Sequence, residues 1–129
     1  MRINLEHAVV ASTDSESAAR RFAEIMGLRV GDREGVDGKF VSVRVNDELR
    51  LFFVTADNVM SQHLAFVVDD PLMNRIIDQL QRMGIPFGSS PHDATNGRTD
   101  HPLAERGVFW ADPDGHLFEV MTGVIGSPK

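Results

Sequence analysis

Two histidines and one glutamate carry most of the chemical content of this 129-residue chain. His7 and His63 each fall in a short run of apolar and β-branched residues, 3–11 and 63–68, that reads as a strand. Glu119 lies among Leu117, Phe118, Val120 and Met121, and a carboxylate in such company is costly to bury without a counter-charge. A divalent cation held by two imidazoles and a carboxylate supplies that charge. It also keeps coordination positions open for substrate, water or oxygen, which suits catalysis better than structure. Spacing alone leaves the ordinary alternative open: strand histidines satisfied in the core or at its rim, and a glutamate facing water. Further histidines, His92 and His101, sit in the polar stretch 88–107, where a general acid or base can reach a metal-bound substrate. Solvent exposure is the expectation for His92, whereas for His101 a catalytic and an exposed role are evenly balanced. His116 follows the turn Asp112-Pro113-Asp114-Gly115 and reads as structural.

The elements that must position these groups come twice. After the first strand, Thr13 and Glu16 have capping-box spacing, and Ala18, Phe22, Ile25 and Met26 mark one face of a helix that Gly27 stops. Strand-like stretches follow near 29–33, 39–45 and 48–54. After the second strand, Asp69 or Asp70 caps and Pro71 suits a helix start. Met73, Ile76, Ile77, Leu80 and Met83 form an apolar stripe, and Gly84 ends it. Strands are then expected at 85–88, 106–111 and 116–122. Met26-Gly27-Leu28 and Met83-Gly84-Ile85 recur at nearly the offset that separates His7 from His63. The expectation is an α+β fold of two tandem β-α-β-β-β modules, about 1–57 and 58–129, within a single domain of 1–129. By alternation His7 shares a face with Leu5 and Val9, His63 with Ala65 and Val67, and Glu119 with Leu117 and Met121. Phe53, Phe66, Phe109 and Trp110 are assigned to the core or a pocket wall, and Met26, Met60, Met73 and Met83 to core filling.

Composition removes several function classes. The chain has no cysteine, so disulfides, thiolate metal sites and cysteine nucleophiles are excluded, and no tyrosine to serve as a proton donor. A formal charge of −6 repels polyphosphates and anionic membranes, so neither nucleic acid nor membrane is an expected partner. The first residues lack the apolar run of a secretory signal, and no stretch approaches the ~20 apolar residues of a membrane span. A soluble, cytoplasmic protein is the expectation.

The halves His7…Gly27 and His63…Gly84, closed by Val108-Phe-Trp-Ala-Asp-Pro-Asp-Gly-His-Leu-Phe-Glu-Val-Met-Thr122, resemble the vicinal oxygen chelate superfamily. That group includes glyoxalase I, extradiol dioxygenases, fosfomycin-resistance enzymes and bleomycin-resistance proteins. The resemblance implies a cupped mixed sheet around a divalent metal ion (Fe2+, Mn2+, Ni2+ or Zn2+), with His7, His63 and Glu119 at the ligand positions. It also implies a small-molecule substrate chelated through vicinal oxygens, and commonly a homodimer. Departures narrow the choice. The glyoxalase I type carries a further glutamate in the middle of the fourth strand, where this chain has Leu51-Phe52-Phe53 and only Glu48 at the edge. Glu48 stays open as a fourth ligand. Extradiol dioxygenases add a tyrosine, absent here, and a second histidine, for which His101 or His116 can stand. Fosfomycin-resistance enzymes need a cationic pocket, for which Arg98 and Arg106 are the candidates. The leading expectation is a metal-dependent enzyme, dioxygenase-like or lyase/isomerase-like. The rival is a bleomycin-resistance-like protein that sequesters a cationic drug without catalysis. A dimeric module with relic ligand residues is a third alternative.

Overall fold

Alternating side-chain directions along each strand set one face of a sheet against a helix and leave the other for function. The computed structural model describes residues 1–124. The chain divides into two compact units, one ending at Met60 and the other beginning at Ser61, each a mixed sheet with a long helix.

In the first unit the order is β1 (His7–Ser12), α1 (Ser15–Met26), β2 (Val30–Glu34), a 3-10 turn at Val36–Gly38, β3 (Phe40–Arg44) and β4 (Arg50–Thr55). The sheet runs β1-β4-β3-β2, with β1 parallel to β4 and the other pairs antiparallel. Val10, Val41, Val43, Leu51 and Phe53 are buried, as are Ala19, Phe22, Ala23, Ile25 and Met26 of α1. The Phe22 and Phe53 rings meet at 5.9 Å. Asp14, rather than Thr13, caps α1. It is the residue with extended backbone (φ −144°), and its carboxylate accepts the Ser17 N–H at 3.1 Å. Gly27, at φ 72°, ends the helix as expected.

The second unit comprises β5 (His63–Val67), α2 (Asp70–Arg82), β6 (Ala104–Ala111) and β7 (Leu117–Val124), in sheet order β5-β7-β6 with β5 parallel to β7. Asp69 caps α2 by accepting the Leu72 N–H at 2.9 Å. Met73, Ile76 and Leu80 are buried, whereas Ile77 and Met83 are half-buried, so the apolar stripe is narrower than its sequence suggests. Trp110 and Phe118 stack at 5.8 Å within the core. The strand expected at 85–88 does not form. Pro86 has no N–H to give a ladder, and only Gly88 bridges to β6, exchanging both backbone bonds with Phe109 (3.0 and 2.8 Å). The chain then folds back on Gly88 so closely that a Cβ there would lie 2.3 Å from the Asp93 carbonyl oxygen. Met60 is exposed rather than core-filling, because it lies in the coil ahead of β5. Among the described residues no helix is long and apolar enough to cross a membrane.

The cap assignment is open to test. Asp14→Ala should lower the unfolding free energy by about 1 kcal/mol, the usual value of an N-cap carboxylate, read from urea denaturation.

Candidate functional site

Register brings three of the singled-out residues onto one face of the second sheet. His63 pairs with Leu117, Ala65 with Glu119, and Phe109 with Glu119 from the other side. His63 therefore stands diagonal to Glu119, and its Nε2 lies 2.5 Å from Glu119 Oε1. The other carboxylate oxygen, Oε2, lies 2.6 Å from Nε2 of His101. The Glu119 and His101 side chains are 8% and 3% exposed, while His63 remains 48% exposed. Among the described residues no lysine or arginine pairs with Glu119; its partners are imidazoles.

His101 is thus no free loop group. The Leu103 N–H donates to its Nδ1 at 3.0 Å, so the ring proton resides on Nε2 and is donated to Glu119. The imidazole stacks on Phe109 at 5.1 Å with an interplanar angle of 12°. A Cβ at position 107 would meet His101 Cδ2 at 2.5 Å, so Gly107 is what admits the ring.

The first unit repeats this geometry with a different chemistry. His7 pairs with Arg50 across β1 and β4, which places Phe52 on the diagonal that Glu119 occupies in the second unit. His7 and Phe52 stack at 4.5 Å and 18°. Both histidines open their strands instead of sitting in the middle, and His7 is 45% exposed. His7 Nδ1 lies 2.6 Å from Glu6 Oε1. Arg50 grips the same carboxylate with Nε to Oε2 at 2.8 Å and Nη2 to Oε1 at 3.0 Å. That guanidinium, followed by the His7 bond, lowers the Glu6 carboxyl from 4.5 to about 2. Glu48 lies in the turn before β4, exposed and paired with Arg2.

The other candidates are placed elsewhere. His92 is exposed in the loop. His116 is fully buried, accepting the Gln62 N–H at Nδ1 (2.9 Å). Its turn is held by Asp112, which accepts the Asp114 and His116 N–H groups and whose carboxyl is raised by burial. Arg98 pairs with Asp100, and Arg106 binds Asn74 and Asp70. Sequence reasoning passed over Glu6, Arg50 and Gly107. A carboxylate adjacent to a candidate ligand was the available signal for Glu6; the other two depend on register.

The donor set suits a divalent cation. A buried carboxylate satisfied by imidazole nitrogens, with no lysine or arginine beside it among the described residues, offers hard and borderline donors together. Among the described residues no group of three His, Cys, Asp or Glu side chains is arranged as a metal cage; here the imidazoles address the carboxylate directly.

No protein-family model matches the chain. Among solved structures, Oxidase ChaP-H1 is 30% identical over 98% of this chain and 100% of its own, with a TM-score of 0.86. Oxidase ChaP-H2 is 28% identical, covers 98% of both chains and gives 0.89. TnmS3, an antibiotic binding protein from Streptomyces sp. CB03234, shares the fold at 21% identity, covering 95% and 97%, with a TM-score of 0.71. The chain belongs to the vicinal oxygen chelate superfamily.

The Glu6 carboxyl supplies a pH test. Its folded value lies below its ordinary 4.5, so its ionic bonds are complete above that pH and are lost as pH falls through about 2. Carboxyl-carbon NMR should place the midpoint near 2, and Arg50→Ala should return it toward 4.5.

Proposed function

We propose that the chain is a divalent-metal-dependent enzyme of the oxidase or dioxygenase type, acting on a small oxygen-rich molecule bound through neighbouring oxygens. We assign His7, His63 and Glu119 as its metal ligands. The observation that carries this reading is Glu119: a carboxylate buried in an apolar sheet face, addressed by two imidazoles and by no arginine or lysine among the described residues. Identities of 28% and 30% to proteins described as oxidases, over nearly the whole chain, support the choice of reaction type.

When bound, the metal supplies electrophilic stabilisation of negative charge on the chelated substrate oxygens. The protein's own groups fix the ligands and exclude water. His101 acts through Glu119: its Nε2–H holds Oε2, and Leu103 N–H and the Phe109 ring hold the imidazole. With both ring nitrogens committed, His101 keeps the carboxylate in one rotamer while Oε1 faces His63. Phe109, 2% exposed, forms an apolar wall beside them. A homodimer is part of this proposal, tested by sedimentation at micromolar concentration.

A second reading, sequestration of a cationic drug without catalysis, is favoured by the charge of −6 and by the likeness in fold to TnmS3. Metal analysis of protein bearing no polyhistidine tag separates the two. We expect about one transition-metal ion per chain in the wild type, and at least a tenfold loss of occupancy in His63→Ala and Glu119→Gln. A wild-type chain that takes up no Fe(II), Mn(II), Ni(II) or Zn(II) yet binds a bulky cation tightly would establish the second reading instead.

A further inference from the structure

We infer that Glu6 and Arg50 are positioning residues which hold His7 in the one neutral tautomer able to ligate through Nε2; the inference rests on the proposal that His7 is a ligand. An ionised carboxylate can only accept, so the hydrogen shared between Glu6 Oε1 and His7 Nδ1 at 2.6 Å belongs to the imidazole. A neutral ring with its proton on Nδ1 presents a lone pair at Nε2. Rotation of the ring is settled from two sides: Phe52 stacks beneath it at 4.5 Å, and Glu6 captures one edge.

Glu6 is itself anchored at both ends. The Arg50 main-chain N–H donates to the Glu6 carbonyl oxygen at 2.9 Å, and the Arg50 side chain grips the carboxylate through a two-bond fork. The guanidinium lies 4.8 Å over the Phe52 ring, which also stacks on Phe40 at 5.4 Å. One aromatic surface thus supports both the ligand and the group that orients its orienting carboxylate. Exposed ion pairs contribute little to stability, so folding does not account for a fork and a stack converging on one imidazole edge. Carboxylates placed behind metal-binding imidazoles do account for it.

The test uses the full chain. In the metal-free protein, long-range nitrogen–proton NMR should find the neutral His7 ring protonated on Nδ1 and bare on Nε2. Glu6→Ala should move the proton to Nε2 and raise the Kd for Co(II), measured by chelator competition, about 10- to 100-fold. Glu6→Gln, whose amide oxygen still accepts from Nδ1, should recover most of that loss. Arg50→Lys, which keeps the charge without the fork, should fall between. A wild-type His7 protonated on Nε2, or a Glu6→Ala variant with an unchanged tautomer, would overturn the clamp. A His7→Ala variant that binds Co(II) as tightly as the wild type would overturn the ligand role while leaving the tautomer result standing.

Discussion

A negative charge inside an apolar sheet face is the constraint around which the second unit is organised. Glu119 is flanked along β7 by Phe118 and Val120, whose side chains enter the core, and is crossed by Phe109 of β6. Leaving such a carboxylate unpaired costs several kcal/mol, a large part of the roughly 5–15 kcal/mol by which a domain is stable. Imidazoles meet that cost without importing the permanent positive charge of an arginine or lysine. An arginine here would satisfy the fold equally well, but its permanent charge would repel the cation of the proposed site. The choice of histidine is therefore informative in a way that burial alone is not.

The duplicated architecture shows one backbone position put to two uses. In each unit a histidine opens the first strand, and the last strand, parallel to it, places a residue on the diagonal. The second unit puts Glu119 there and obtains a hydrogen-bonded imidazole; the first puts Phe52 there and obtains a stacked one. With the diagonal occupied by an arene, the carboxylate that addresses His7 comes instead from the adjacent residue, Glu6. The strand β4 itself, Arg50–Thr55, carries no carboxylate.

Local order was the part legible in the residues. Both helices, the glycine stop at Gly27, the Asp69 cap and all seven strands follow from periodicity and turn chemistry, because those signals lie within a few residues of one another. Thr13 and Asp14 are both residue types that cap, and only the backbone dihedral decides for Asp14. At 85–88 the apolar Ile85 and Phe87 suggest a strand, yet Pro86 between them cannot donate to a ladder, and both are buried without forming one. The pairing of His63 with Glu119 could be inferred from duplication and a family resemblance. The Arg50–Glu6–His7 chain could not, because it depends on which residue of β4 faces His7, and a shift by one would send Arg50 to the other face. His101 was visible as a candidate, whereas its burial was hidden in a stretch whose composition reads as exposed loop.

That stretch explains how a polar segment can place an imidazole accurately. Ordering a loop of this length carries a substantial entropic cost, and polar composition offers little burial in return. Here the side chains bond to the loop's own backbone. Asn96 accepts the Ser89 and Arg98 N–H groups and donates to Ser89 Oγ, Ser90 and Asp93 bridge, and Arg98 holds Asp100 next to His101. Backbone bonds from Gly97 to Phe87 and from Gly107 to Thr99 tie both ends to β6 and its approach. The ordering cost is met during folding by these bonds, so His101 is already in place beside Glu119. An exposed histidine on a mobile loop would have to be ordered at the moment of binding, and part of the binding free energy would be consumed in doing so. The length and polarity that mark the segment as a loop are thus what allow it to act as a rigid support for a carboxylate.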